Sequence, residues 1–197
     1  MQSSSALHGR HQPGGRPRLR SSIIIVATIA LIVCARPVAA MAEISVDDLQ
    51  AVARSLGFLD TLPKDGTITV GVVHTADASQ AAARTVDRLN AIPGPNSATF
   101  KAQSIAVDGL AGNQDRLDAL LLEEGACADP ATALAVTEMV RRRHIVSIST
   151  SPACLQSKCC VLMVHTDRKV EIVLNTELAD AAGARFSSVF AMMVKRR

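Results

Sequence analysis

Aromatic residues are nearly missing from this 197-residue chain. It has no Trp and no Tyr, and its four Phe all lie beyond residue 57. Stacking of bases or sugar rings on aromatic side chains is thereby excluded as its means of binding, and the core has to be aliphatic. Acid is missing from residues 1–40, which hold five of the 21 Lys and Arg but none of the 18 Asp and Glu. The chain also lacks a G-x-S-x-G elbow around a nucleophilic Ser, a C-x-x-C pair, and a Gly-rich loop after its first apolar strand. Those absences remove the usual supports for a hydrolase triad, a thiol oxidoreductase and a nucleotide-phosphate cradle.

The acid-free segment has an order of its own. Arg10, Arg16, Arg18 and Arg20 precede an uncharged apolar run at 23–34. Arg36-Pro37 ends that run, and small residues follow to Ala42. Basic, apolar, then small is the order of a secretory signal peptide. The run is shorter than the ~20 residues of a membrane span. The expected leader is 1–40, cut after Ala40 or Ala42, with the folded domain at 43–197. Past residue 40 the balance is 16 basic against 18 acidic side chains, a net charge of −2. The basic character of the whole chain therefore belongs to the leader and is no nucleic-acid footprint.

Cys34 leaves with the leader, and Cys127, Cys154, Cys159 and Cys160 remain. An even number in an exported chain points to two disulfides. The adjacent Cys159 and Cys160 do not readily bond each other. That leaves a short loop from Cys154 to Cys159 or Cys160, and a long tie to Cys127. With His165 the same thiols would be suitable zinc or copper ligands, but their spacing matches no common metal knuckle.

Periodicity predicts a helix over 45–62, with Ser45 as N-cap and Gly57 interrupting it. A continuous β-branched strand is expected at 67–73. His74 to Asp77 should cap a helix over 78–89. A strand at 99–107 should place Phe100, Ala102, Ser104 and Ala106 on one side. A loop at 108–116 leads to an apolar strand at 117–122. Pro130, behind Asp129, opens a helix to Arg143. Strands at 145–149, 160–164 and 170–174 follow, the last two joined by the polar turn 165–169, with one or two closing helices. Strands alternating with helices give an α/β fold. The expectation is a single three-layer domain whose sheet is mostly parallel, with the final strand pair antiparallel and helices on both faces.

No residue reads as catalytic, cofactor-binding or metal-ligating. His74, Asp77 and Ser79 sit where the first strand meets a helix N-terminus, a place suited to ligand or partner contact. Arg141 and Arg142 offer cations to an acidic partner at the end of a helix. Glu123-Glu124 reads as an exposed loop, and Asn175 as a helix cap.

A family resemblance covers most of residues 55–195. Gly57-Phe58-Leu59-Asp60-Thr61-Leu62-Pro63 followed by the strand 68–73 resembles the opening of the YfiR-type periplasmic proteins. The strands 117–122 and 145–149, the cysteine-bearing loop and the strand from Cys160 follow in family order. Val170-Glu171-Ile172-Val173-Leu174-Asn175, then Ala179, Ala182-Gly183 and Phe186-Ser187-Ser188, is similar to that family's strand ending in Asn and the helix pair behind it. Leu62 stands where the family has an aromatic residue, and Cys159-Cys160 where it has a Gly-rich approach. The resemblance implies a non-enzymatic exported regulator that binds the periplasmic part of an inner-membrane signalling protein, a diguanylate cyclase being one such. No nucleic acid and no cofactor are expected, and a homodimer stays open. The rival expectations are a small solute-binding component of an ABC transporter and a cysteine oxidoreductase.

Overall fold

The computed structural model describes residues 43–64 and 66–197. The leader read at 1–40, and with it the cleavage position, lies outside the described residues.

Seven strands form one sheet in the order β2-β1-β3-β4-β5-β6-β7. They are β1 Thr67–His74, β2 Thr99–Ala106, β3 Ala119–Leu122, β4 Val146–Ser149, β5 Leu162–Thr166, β6 Val170–Leu174 and β7 Lys195–Arg196. The strands β2, β1, β3, β4 and β5 are parallel, β6 is antiparallel to β5, and β7 is parallel to β6. This is the expected α/β sheet with its antiparallel final pair. The helices are α1 Val46–Leu56, α2 Ser79–Ala91, α3 Pro130–Arg143, the single turn α4 Ala153–Gln156, α5 Thr176–Ala181 and α6 Ser188–Met193. From β1 the chain crosses outward to β2 through α2. From β3 it crosses the other way to β4 through α3. Right-handed crossovers in opposite directions put α2 and α3 on opposite faces of the sheet.

Burial explains the middle strands. All four residues of β3 and all four of β4 are buried, as are the last five of β1. Gly71, in the centre of β1, is there for space: a Cβ on it would stand 2.6 Å from Ile105 Cδ1. β3 starts two residues later than expected because Asp118 staples the approach. Its carboxylate accepts from Thr69 N at 2.7 Å while its own amide donates to Thr69 O at 2.8 Å.

Four local expectations need correction. α1 stops at Leu56, not 62; the amide of Gly57 turns back onto Ala53 and Arg54, and Leu59 pairs with Phe186 instead. In β2 the buried residues are Phe100 and Ile105, which face opposite sides, while Ser104 and Ala106 are exposed. Phe100, Ala102, Ser104 and Ala106 do share one side, but β2 is at the edge of the sheet and half of its residues are exposed, so burial does not follow the alternation. The segment His74 to Asp77 does not cap α2; a 3-10 turn at Ala76–Ala78 leads into it, and neither segment has a side-chain cap. The polar loop 108–116 buries Leu110 completely.

Asn175 does act as a cap. Its Oδ1 accepts from Leu178 N at 3.1 Å at the start of α5. Asn175→Ala should cost about 1 kcal/mol of unfolding free energy. An unchanged denaturant midpoint would remove the capping role.

Candidate functional site

Strand order 2-1-3-4-5 reverses direction between β1 and β3. In open sheets of this kind, ligands favour the crevice beyond the carboxyl ends of the strands at the reversal. Here β1 ends at His74 and β3 at Leu122, with Val73 paired to Leu122. His74 and Glu123 therefore emerge side by side. Both are buried, at 5% and 4% exposure. His74 Nδ1 lies 2.8 Å from Thr75 O. A carbonyl can only accept, so Nδ1 is the donor in this contact.

Thr85, fully buried on α2, closes the crevice from above. Among the described residues, three buried side-chain oxygens have no hydrogen-bond partner: Thr75 Oγ1, Thr85 Oγ1 and Glu123 Oε1. Thr85 Oγ1 and Glu123 Oε1 belong to this one crevice, the Thr85 hydroxyl acting directly on the Glu123 carboxyl. Burial pushes the Glu123 carboxyl above the usual glutamate range, against the pull of the Thr85 hydroxyl and His74. Sequence reading placed Glu123-Glu124 on an exposed loop; only Glu124 is exposed. The available signal was position, since Glu123 directly follows a wholly apolar strand.

A second place is built around sulfur. Disulfides join Cys127 to Cys159 and Cys154 to Cys160, with Cα–Cα distances of 6.5 and 5.6 Å. Of the two pairings left open, the short link is therefore Cys154–Cys160. Buried Ser147 on β4 fixes the adjacent cysteines: its Oγ donates to Cys159 O at 2.8 Å and accepts from Val161 N at 3.1 Å. Beside Cys127 a groove of ≈ 400 Å³ runs between α3 and α5, lined by Leu134, Arg141, Lys158, Asn175 and Glu177 among others. With the thiols oxidised, no group of three or more His, Cys, Asp or Glu among the described residues is placed to hold a metal ion.

The residues singled out from the sequence do not converge. His74, Asp77 and Ser79 lie where β1 gives way to α2, with His74 buried and the other two exposed. Arg141 and Arg142 lie on the last turn of α3, which leads into the start of β4, at the end of the strands opposite to His74 and Glu123. Arg141 lines the groove, whereas Arg142 pairs with Glu138 at 3.2 Å on the helix surface. Arg143 holds the loop before β3, donating to Asp115 O at 2.9 Å and to Asn113 O.

No protein-family model matches the chain, and no curated protein matches it. The geometry alone therefore ranks the surfaces. One further surface stands out, and sequence reading missed it. Phe58, Val170, Val189, Met192 and Met193 are large apolar side chains exposed at 37, 51, 55, 77 and 64%. Phe58, Val170 and Met193 line one groove, with Ile172, Phe190 and Arg54. α6 makes this face because only Phe190 turns inward. It stacks between Phe58 and Phe186, each with its ring centroid 5.1 Å away. Val189, Met192 and Met193 are left outside. No helix among the described residues is long and apolar enough to cross a membrane.

Proposed function

We propose that this chain is an exported, disulfide-tied regulatory domain of the YfiR type. It works by binding, not catalysis. It docks on the periplasmic part of an inner-membrane signalling protein, with a diguanylate cyclase as the leading partner, and couples that partner to the state of the envelope. The observation that carries the reading is the exposed apolar face of α6 and β6. Contiguous apolar surface of this kind is costly to leave in water and marks interaction sites. The methionines on it suit a surface that must adapt to a partner, because their side chains are flexible and polarisable. The two disulfides favour an oxidising compartment, and the partner class comes from the resemblance of residues 55–195.

The test is a pair of affinity captures from solubilised envelope membranes, using the mature chain and the double variant Met192→Asp, Met193→Asp. These side chains are exposed at 77 and 64%, so the variant should keep its fold, checked by circular dichroism. The expected result is that the wild type retains an integral membrane protein bearing a cyclase domain, and the variant retains at least tenfold less. Recovery of no integral membrane partner, or equal recovery by both forms, rejects the proposal.

A further inference from the structure

We propose that the crevice between β1, β3 and α2 is a proton-operated latch: Glu123 holds it shut as the neutral acid, and loss of that proton loosens α2 together with the segment before α1. The starting point is the unpartnered oxygens. Buried polar groups are almost always hydrogen-bonded, and an exception calls for an explanation. Glu123 Oε1, just past the carboxyl end of β3, and Thr85 Oγ1, on the helix α2 above it, are both buried and unpartnered. A neutral carboxyl has one donor and further acceptor sites, and a hydroxyl has both, so the neutral acid can satisfy this neighbour by small rotations. A carboxylate is an acceptor only and carries a charge. Buried at 4% exposure, it would need a cation.

The charged and titratable groups facing it are few. From the end of β1 comes His74, from α2 Arg84, and from the segment before α1 Glu43. Glu124, its chain neighbour, is exposed, as is Asp77 on the turn before α2. Arg84 is the cation among them, and it is already engaged: its Nε lies 2.8 Å from Glu43 Oε1. Arg88 shares the same carboxylate at 3.0 Å and donates to Ile44 O at 3.1 Å. These contacts tie α2 to the segment leading into α1.

Deprotonation of Glu123 sets up a competition. Either Arg84 is drawn from Glu43 toward the buried charge, or the crevice opens to water. Both outcomes loosen the tie. The folded pKa lies above the ordinary glutamate value. The contribution of Glu123 to stability is therefore complete below that ordinary value, and is lost as pH rises through the folded one. The latch closes in acid and loosens toward alkali, opposite to the usual carboxylate.

The test uses the mature, oxidised chain and Glu123→Gln, which keeps the shape and cannot ionise. In wild type, the Glu123 side-chain carboxyl resonance in a 13C-labelled sample should titrate above the usual glutamate range. Over the same window, amide exchange in 79–91, corrected for its intrinsic pH dependence, should speed up several-fold. In Glu123→Gln the α2 acceleration should vanish, and the melting temperature should exceed wild type above the transition. Titration of Glu123 in the ordinary range, or an α2 exchange profile identical in both proteins, overturns the proposal. The resonance is read on the native chain, so the idea stays testable if the variant fails to fold.

Discussion

Replacing Cys127 and Cys159 together by Ala should lower the unfolding free energy by about 3–4 kcal/mol, the largest loss expected from one tie in this molecule. The bond spans a sequence separation of 32 and closes a loop that contains α3 and β4. Cutting it restores to the unfolded chain the freedom of that whole crossover. The Cys154–Cys160 bond closes a separation of only six, and its removal should cost about 2 kcal/mol on the same entropic argument. The two losses should not add fully, because Cys154 lies inside the longer loop and Cys160 just beyond its end. Denaturant titration of the oxidised wild type and the two paired-alanine variants makes the comparison, with equal slopes showing that only stability has changed. Equal midpoints for wild type and the Cys127/Cys159 variant would dismiss the argument. So would four titratable thiols in unreduced protein.

The same separation of local from distant effects decides how much could be read in advance. The strands β1, β3 and β4 were legible to within two residues because each is a short apolar run buried on both faces. Pro130 behind Asp129 announced α3, and the structure keeps that start, with Asp129 Oδ2 accepting from Thr132 N at 2.8 Å. β7 was not legible. Lys195-Arg196 has no strand character and becomes a strand only because β6 offers its free edge. α4 is a single turn carrying Cys154, too short for any periodicity. The crevice was half legible: His74 marks a strand end, but Thr85 is mid-helix and Glu123 looked like one of an exposed pair. The apolar face depended on which way α6 turns, a choice made by the Phe58–Phe190–Phe186 stack and not by α6 itself.

Asp48→Ala should cost about 2–3 kcal/mol, a range set by hydrogen bonds to a charged acceptor. Asp48 sits in the first turn of α1 at 7% exposure, where Ser45 caps the helix. Its Oδ2 accepts from Ser45 Oγ at 2.7 Å, while Ser45 Oγ accepts from Asp48 N at 3.0 Å. Its Oδ1 accepts from Thr166 N at 2.7 Å and from Thr166 Oγ1, joining α1 to the end of β5 across 118 positions. Burial works against the charge here. The bonds from Thr166 and Ser45, helped by His165 nearby, outweigh it and hold the carboxyl below the usual aspartate range. A folded pKa below the unfolded one gives stability that is present above the unfolded value and lost as pH falls through the folded one. Wild type should therefore weaken on acidification through that window, and Asp48→Asn should weaken less steeply from a lower starting stability. Asn keeps an acceptor for Thr166 N but not the charge, so its loss at neutral pH should be smaller than that of Ala. Acid limbs of equal slope in wild type and Asp48→Asn would assign the acid sensitivity elsewhere, and an unchanged midpoint in Asp48→Ala would show that β5 does not depend on α1 for its position. The Glu123 latch has the opposite sign, strengthening in acid as the Asp48 tie weakens. Each single variant should flatten one limb of the stability profile and leave the other unchanged.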